Sequence, residues 1–274
     1  MPKLPWVALA WTTAGAIALF AALLLLVWWQ QERLLFYPAP LPQSYRLASE
    51  PQVHESAVEV EGARLSVLHL KLPAPRGVVL FLHGNGGNLA GWFTGSEFYR
   101  AANFDVVMPD YRGYGKSTGR ISSPGQLRED VRAVWRSVAS QYEGKRVVLY
   151  GRSLGSGLAA DLAAELTAAG QPPALTVLVS PYTSMRDLAT ELHPWVPGAL
   201  VRYPLDTTRH LPSIGGPVLL LHGEDDALIG VHHARRLHAL RPSAQLAVVP
   251  GAGHNDIHLH PAYRSVLSQA LARL

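Results

Sequence analysis

Six continuous apolar runs, separated by stretches rich in helix-forming residues, dominate the chain after its first quarter. The runs are VVLFLH (78–83), DVVMPD (105–110), RVVLYG (146–151), ALTVLVS (174–180), PVLLLHG (217–223) and QLAVVPG (245–251). Continuous apolar runs are typical of strands that are covered on both faces. Helices are predicted between and after them, at about 89–102, 124–142, 154–169, 232–240 and 261–274. This alternation predicts an α/β fold, with a mostly parallel central sheet and helices on both faces.

Two different patterns precede these runs. The stretch VEVEGARLSVLHLKL alternates between apolar and polar residues up to Leu72, and it predicts a hairpin that turns near Glu61 and Gly62. Residues 34–56 are rich in proline with aromatic residues between, which predicts an extended connector rather than a helix. We therefore expect a connector at 31–56 and a single catalytic domain at 57–274.

The N-terminal segment is apolar enough to cross a membrane. No charged residue occurs from Trp6 to Trp29, and as a helix this stretch would be about 36 Å long. Tryptophans near both ends fit interfacial anchors. The alternative is a cleaved signal peptide, but the apolar run is longer than is usual there and no A-x-A site follows it. We predict a single-pass anchor at 1–30 that contacts the membrane through residues 6–29, with the domain on the non-cytoplasmic side because Lys3 precedes the helix.

Composition narrows the function classes. The chain has 274 residues, 48% of them hydrophobic, which is enough to bury a full core. The formal net charge is +4, and no basic run occurs, so nucleic acid is not an expected partner. The absence of cysteine excludes disulfides, thiolate catalysis and cysteine-ligated metals. No metal or cofactor is predicted.

The strongest local signal for chemistry is the sequence GRSLG at 151–155, between a predicted strand and a predicted helix. An abrupt strand-to-helix turn with flanking glycines exposes the side chain at its apex, here Ser153. A glycine-rich turn whose serine only caps the helix would give the same five residues. The nucleophile interpretation therefore requires a histidine base, a carboxylate and donors for an oxyanion elsewhere in the chain.

Candidates for these roles follow other strands. Ligand sites in open α/β sheets lie beyond the carboxyl ends of the strands. His254 stands in a Gly-Ala-Gly loop after the last predicted strand, and Asp225 and Asp226 follow the strand before it. The backbone N–H of Leu154, first in the helix after the serine, is a candidate oxyanion donor. The residues alone leave both aspartates open.

Five motifs together resemble the α/β-hydrolase fold. They are, in this order, HGNGGN, DYRGYGKSTG, GRSLGSG, HGEDDALI and GAGHNDI. Together with QERLLFYP, which follows the predicted anchor, these motifs most resemble the membrane-anchored branch of this fold. That branch comprises Bem46-like hydrolases and the alpha/beta hydrolase domain-containing proteins 12, 13 and 17. The resemblance implies a triad of Ser153, Asp226 and His254. It also implies an oxyanion hole made by the N–H groups of Asn85 and Leu154. His83 is expected only to brace its loop. DYRGYGKSTG lacks the spacing of a phosphate-binding loop, and we interpret it as a structural turn.

The segment 182–212 shows no strand pattern, and in this fold an insertion there forms a lid. It is short and apolar, so we predict that it takes an acyl chain, with Tyr182 and Trp195 as substrate contacts; packing on the domain is the alternative. The predicted function is a membrane-anchored serine hydrolase of carboxylic esters or thioesters, acting on lipid-like or acyl substrates. The alternatives are a serine peptidase or amidase on the same triad, and a non-catalytic membrane-tethered scaffold.

Overall fold

The computed structural model of this chain describes residues 4–274, and a long mixed sheet organises them. The strands are β1 (Tyr37–Pro38), β2 (Val53–Val60), β3 (Ala63–Leu70), β4 (Gly77–Leu82), β5 (Gly86–Gly87), β6 (Phe104–Pro109), β7 (Arg146–Arg152), β8 (Leu175–Val179), β9 (Val218–Gly223) and β10 (Gln245–Val249). The helices are α1 (Leu4–Trp29), α2 (Gln31–Leu35), α3 (Leu89–Trp92), α4 (Ser96–Ala102), α5 (Pro124–Ala139), α6 (Leu154–Ala168), α7 (Met185–Leu192), α8 (Thr207–His210), α9 (His232–Leu240) and α10 (Pro261–Ala272).

The main sheet has eight strands in the order β10-β9-β8-β7-β4-β6-β3-β2. Strands β4 and β6 to β10 run parallel, and the hairpin β2–β3 joins them antiparallel at one edge. The α/β-hydrolase type of fold expected from the sequence is thereby confirmed, as are the six predicted parallel strands.

The continuous apolar runs arise because each central strand packs on both faces. In β4, Val78 and Leu80 face one apolar core with α5, α6 and α9, whereas Val79 and Phe81 face a second core with α4 and α10. Neither face of the strand meets solvent, so no polar residue is required at alternate positions. The sheet is thus a rigid platform whose strand ends carry the loops of the candidate site.

Three local predictions differ from the structure. The helix predicted at 89–102 is two helices, α3 and α4, because the chain takes a left-handed conformation at Gly95 (φ 71°). The connector begins with the helix α2, which includes Leu34 and Leu35. Strand β2 begins at Val53, inside the segment predicted to be connector, and pairs with the full length of β3. The proposed domain boundaries remain a prediction.

Helix α1 is the one helix within residues 4–274 that is long and apolar enough to cross a membrane, over Ala8–Trp29. This criterion rests on length and composition, and a signal sequence would also meet it. Trp6, Trp11 and Trp29 are largely exposed, so the helix packs little of its apolar surface against the domain. The N-terminal apolar helix could therefore span a membrane.

Candidate active site

The turn from β7 to α6 holds Ser153 in a strained conformation that glycines make possible. Ser153 has φ 52° and ψ −121°, a backbone conformation that residues with a side chain rarely adopt. A Cβ at Gly151 would lie 2.2 Å from the carbonyl oxygen of Gly155, and a Cβ at Gly155 would lie 2.0 Å from that of Leu82. Both flanking positions therefore require glycine, and the serine is the side chain that this turn presents.

The structure brings Ser153, His254 and Asp226 into one hydrogen-bonded chain. His254 Nε2 lies 3.0 Å from Ser153 Oγ, and His254 Nδ1 lies 2.7 Å from Asp226 Oδ2. Asp226 is buried, and its other carboxylate oxygen accepts the backbone N–H groups of Leu228 and Ile229. Asp225 is exposed. Of the two aspartates that the sequence left open, Asp226 is the one that meets the histidine.

The surroundings of Asp226 favour its carboxylate form. Burial opposes ionisation, but contacts with His222, with His254 and with the Ile229 N–H outweigh it, so the pKa of Asp226 lies below its usual range. His222 is fully buried, with Nε2 3.5 Å from Asp226 Oδ2 and 2.6 Å from the Ile229 carbonyl oxygen. An ionised Asp226 can accept a hydrogen bond from Nδ1–H of His254, which leaves the Nε2 lone pair facing Ser153.

Two backbone N–H groups near Ser153 have no acceptor within residues 4–274. They belong to Leu154, at the start of α6, and to Asn85, in the turn after β4. A Cβ at Gly84 would lie 3.6 Å from Ser153 Cβ, so this turn passes close to the serine. These are the two donors expected for an oxyanion hole.

The turn that carries Asn85 is held by the chain that follows helix α1. Strand β1 pairs in parallel with β5, and Tyr37 N–H donates to the Asn85 carbonyl across 2.9 Å. The Asn85 side chain donates to the Leu35 carbonyl at 3.2 Å, and Tyr114 Oη donates to the Asn85 carbonyl at 2.7 Å. The connector therefore forms part of the support of the candidate oxyanion hole.

Arg152 is a site residue that the sequence analysis did not identify. Its Nη2 donates to the backbone carbonyls of His254 and Asn255, at 2.9 and 3.0 Å, and its Nη1 lies 3.2 Å from His258 Nδ1. The guanidinium also lies over the ring of Trp92, 5.2 Å from its centre. The sequence shows that Arg152 directly precedes Ser153. It does not show which groups Arg152 contacts, because these lie about a hundred positions further along the chain.

Trp92 and His83 support the turn that carries Asn85. Trp92 Nε1 donates to the Gly86 carbonyl at 2.6 Å, and its ring stacks on that of His83 at 5.6 Å. His83 is fully buried, with Nδ1 2.7 Å from the Gly84 carbonyl oxygen, as expected for a residue that braces its loop. The segment DYRGYGKSTG is also structural: a Cβ at Gly115 would lie 2.0 Å from Asp110 Oδ2.

The two residues predicted to contact substrate have different surroundings. Tyr182 is fully buried, and its hydroxyl donates to the Leu154 carbonyl at 3.1 Å. It therefore braces the start of α6, and no part of its side chain meets solvent; its role toward substrate stays a prediction. Trp195 is 45% exposed and packs edge-on against His193. Its role toward substrate stays a prediction.

The segment 182–212 is attached to helix α2, which directly follows α1. Arg202 pairs with Glu32 at 2.8 Å, and Tyr203 Oη donates to Glu32 Oε1 at 2.7 Å. Gln31 donates to the Leu200 carbonyl at 2.6 Å and accepts the Arg202 N–H at 2.8 Å. Within this segment Val196, Val201, Tyr203 and Leu205 are buried, whereas Leu192 and Trp195 are exposed. One part of the segment therefore packs on the domain, and another part exposes apolar side chains to solvent.

Two protein-family models match parts of this chain. The family model "Serine aminopeptidase, S33" matches residues 73–203, and the model "alpha/beta hydrolase fold" matches residues 165–261. Among solved structures, an esterase from Pyrococcus furiosus has a TM-score of 0.69 at 20% identity, covering 87% of this chain and 98% of that one. An alpha-beta hydrolase from Vibrio vulnificus has a TM-score of 0.68 at 22% identity, covering 80% and 81%.

Curated relatives are closer in sequence. An uncharacterized protein of Mycobacterium tuberculosis is 32% identical over 238 residues, which cover 83% of this chain and 81% of that protein. Alpha/beta hydrolase domain-containing protein 17B of Xenopus laevis is 31% identical over 224 residues, which cover 77% and 72%. The human protein of the same name is 30% identical over 225 residues, which cover 78% and 73%. The chain therefore belongs to the α/β-hydrolase superfamily, together with the alpha/beta hydrolase domain-containing proteins 17.

Proposed function

We propose that this protein is a membrane-anchored serine hydrolase that cleaves carboxylic esters or thioesters through an acyl-enzyme. The observation that carries the proposal is the pair of contacts made by His254, 3.0 Å to Ser153 Oγ and 2.7 Å to Asp226 Oδ2. A serine hydroxyl is a weak nucleophile by itself, and a base within hydrogen-bond reach is what activates it. The strained backbone at Ser153 supports the same role.

The proposed reaction has two halves. Ser153 Oγ attacks the acyl carbon while His254 Nε2 takes its proton, and the resulting oxyanion accepts the N–H groups of Leu154 and Asn85. His254 then gives the proton to the departing alcohol or thiol, which leaves an acyl-Ser153 ester. Water attacks this ester with His254 again as the base, and the acid is released. Asp226 holds the histidine and stabilises its cationic form without taking the proton.

Apolar surface near a membrane favours an acyl substrate. Leu192 and Trp195 expose apolar side chains on the segment 182–212, and this segment is joined through Glu32 to helix α2, which directly follows α1. An acyl chain that leaves a bilayer could bind to such a surface without being exposed to water, so the free-energy cost of its transfer would be small. The structural relative from Pyrococcus furiosus, which is named as an esterase, supports ester chemistry as the reaction class.

We further propose that α1 anchors the protein in a membrane and that the catalytic domain faces the non-cytoplasmic side. The apolar stretch from Ala8 to Trp29 supports the anchor, and the single lysine ahead of it supports the orientation. A cysteine placed at exposed Ser213 would be labelled by a membrane-impermeant maleimide in intact cells if the domain faces outward. Labelling only after permeabilisation would contradict the orientation.

Peptide hydrolysis is the second candidate, because the description of the family model that matches residues 73–203 is "Serine aminopeptidase, S33". The same triad serves both reactions. The full-length protein in lipid nanodiscs should therefore be assayed against p-nitrophenyl esters and acyl thioesters of increasing chain length, and against aminoacyl p-nitroanilides. Ester or thioester turnover that disappears in Ser153→Ala but persists in Ser213→Ala is the expected result. Preferential turnover of the anilides would favour the peptidase.

A further inference from the structure

An open cavity of about 820 Å³ lies at the junction of helix α1 with the domain. Its walls come from the last residue of α1, from α2 and β1, and from the loop between β6 and α5. Four of its lining residues are arginines, namely Arg33, Arg112, Arg120 and Arg202, whereas Glu32 is the one acidic residue that lines it in the described part of the chain. The cavity is therefore a candidate site for an anion.

Two of these arginines already have carboxylate partners. Arg112 is buried, and its Nε and Nη2 donate to Asp130 at 2.6 and 2.8 Å. Arg202 donates to both carboxylate oxygens of Glu32, from Nη2 at 2.8 Å and from Nη1 at 3.2 Å. Because Arg202 takes up the charge of Glu32, the other two arginines do not share it.

Arg33 and Arg120 carry the positive charge that is left in the cavity. Both are exposed, and neither side chain forms an ion pair or a hydrogen bond with another of residues 4–274. They come from different elements, α2 and the loop before α5, and line the same cavity. Planar guanidinium groups donate paired hydrogen bonds that match the oxygens of a phosphate. A phosphate anion bound in this cavity would therefore neutralise both side chains.

The position of the cavity indicates where such a phosphate would come from. The apolar stretch Ala8–Trp29 has 22 residues, and as a helix it would be about 33 Å long, close to the thickness of the hydrocarbon core of a bilayer. With α1 inserted in a membrane as proposed above, the residues that follow Trp29, including Arg33, lie at the depth of the lipid headgroups. A phospholipid is therefore the source of phosphate nearest to the cavity.

The rest of the lining suits the glycerol and the first acyl carbons of a lipid. Trp29 and Tyr37 are largely exposed, and Phe36, Pro38 and Ile121 add apolar side-chain surface. Tryptophan and tyrosine prefer membrane interfaces because they combine an apolar ring with a polar group. The cavity thus combines two guanidinium groups with an apolar wall, as an amphipathic ligand requires.

We propose that this cavity binds the phosphate of an anionic phospholipid headgroup through Arg33 and Arg120. A phosphate held by both side chains would join α2 to the loop before α5. Tyr37 and Tyr114 also line the cavity, and the Tyr37 N–H and the Tyr114 hydroxyl both donate to the Asn85 carbonyl. The bound lipid would therefore lie beside the residues that support the candidate oxyanion hole. The site rests on the proposed anchoring by α1 and not on the reaction of the candidate triad.

Native mass spectrometry of the full-length protein in non-ionic detergent tests the proposal. The probe is diether phosphatidylglycerol, which has no ester bond for Ser153 to attack. We expect one molecule to bind per chain, about 10-fold or more tighter than diether phosphatidylcholine, in which the choline group neutralises the phosphate. Glycerol 3-phosphate has the phosphate without the lipid chains, and it should bind at least about 10-fold more weakly than phosphatidylglycerol.

Substitution of the two arginines tests the site itself. Arg33→Gln and Arg120→Gln should each weaken phosphatidylglycerol binding about 5-fold, and the double variant should weaken it about 30-fold. Arg235→Gln is the matched control and should bind like wild type, because Arg235 is an exposed arginine on α9 that does not line the cavity. Since all three arginines are exposed, these variants are expected to fold, which their melting temperatures beside wild type verify.

Equal affinity for phosphatidylglycerol and phosphatidylcholine, or unchanged affinity in the double variant, would overturn the proposal. Glycerol 3-phosphate that binds as tightly as phosphatidylglycerol would also overturn it, because the site would then take a soluble anion. The anchor is checked separately by alkaline carbonate extraction, in which wild type and the double variant should both stay in the membrane fraction. Release of both proteins would contradict the anchor and overturn the lipid proposal with it, whereas retention with unselective lipid binding would overturn the lipid site alone.

Discussion

The guanidinium of Arg152 donates to the backbone carbonyl of His254 across 2.9 Å, so the residue directly before the candidate nucleophile holds the loop of the candidate base. A second hydrogen bond, to the Asn255 carbonyl, ties the same loop at the next residue. Arg152 is almost fully buried, and charge-assisted hydrogen bonds in such a place are strong and directional. The distance between serine and histidine is thus set partly by a residue that takes no part in proton transfer.

Arg152→Gln should reduce kcat by about 10- to 100-fold with a smaller change in KM, because a displaced histidine loop misaligns the base. Ester hydrolysis by the full-length protein measures both constants. Arg152→Lys should recover part of the loss, since lysine can still donate to one of the two carbonyls. Arg128→Gln, which alters a half-exposed arginine paired with Asp161, is the control. An unchanged kcat in Arg152→Gln would show that the loop keeps its position without the guanidinium.

The adjacent aspartates should differ sharply on substitution. Asp226→Asn should lower kcat on the order of 10³- to 10⁴-fold, because an amide favours the wrong histidine tautomer. Asp225→Asn should change kcat less than about 3-fold, since Asp225 is exposed and Asp226 is the residue that contacts His254. Steady-state ester hydrolysis distinguishes the two variants. Comparable losses in both would contradict the assignment of Asp226 as the carboxylate partner.

The pH dependence of stability should report the ionised Asp226. Burial raises the pKa of Asp226, but its contacts with His222 and His254 lower it by more, so the net pKa is below that of an unfolded aspartate. Above about pH 3.9 both states are ionised and the full stabilisation is present; as the pH falls below this value, the unfolded state takes up a proton first and the stabilisation is lost. The gap in melting temperature between wild type and Asp226→Asn should therefore narrow below about pH 4. A constant gap in this range would contradict the prediction.

The glycines of the turn at Ser153 should tolerate no side chain. Gly155→Ala places a Cβ 2.0 Å from the Leu82 carbonyl oxygen, and because backbone cannot yield as a side chain can, we expect a loss of about 3 kcal/mol or more in the free energy of unfolding. Gly91→Ala in helix α3 is the control, since nothing lies within 4 Å of its added Cβ. That variant should stay within about 1 kcal/mol of wild type, on the stabilising side. Urea unfolding of both variants tests the comparison.

The pair Glu32–Arg202 should couple helix α2, which directly follows α1, to the segment 182–212. Both side chains are about one quarter exposed, and Tyr203 adds a second hydrogen bond to the carboxylate. A double-mutant cycle with Glu32→Ala and Arg202→Ala should give a coupling of about 1 kcal/mol or more in the free energy of unfolding. The largely exposed pair Glu129–Arg136 is the matched control and should couple by about 0.5 kcal/mol or less. Equal coupling energies in the two cycles would show that Glu32–Arg202 contributes no more than an ordinary exposed ion pair.

Local sequence patterns made several features predictable. These are the strands, the turn at Ser153 and the position of that turn at the end of a strand. A strand covered on both faces is apolar throughout, as in β4, and a turn that leaves no room for Cβ atoms needs glycines such as Gly151 and Gly155. His254 could be predicted for a similar reason, since strand ends gather at one edge of a parallel sheet. The break between α3 and α4 was missed because a glycine within a helical pattern does not by itself reveal its positive φ.

Contacts between distant parts of the chain were not predictable. Neither the pairing of β1 with β5 nor the hydrogen bonds of Arg152 leaves a periodic trace in the sequence. The choice of Asp226 over Asp225 rested on family resemblance, because side-chain direction in a loop depends on backbone conformation that the two residue types do not specify. The burial of Tyr182 against helix α6 was not predictable either, because it depends on a contact that the local sequence does not encode.

The central claim is that Ser153 is an activated nucleophile, and fluorophosphonate labelling tests it most directly. The full-length protein in lipid nanodiscs would be labelled and digested, and the modified peptide identified by mass spectrometry. The account predicts a single modified residue, Ser153, with labelling abolished in Ser153→Ala, strongly slowed in His254→Ala and retained in Ser213→Ala. Absence of labelling in the folded wild-type protein, or labelling that persists in Ser153→Ala, would contradict it.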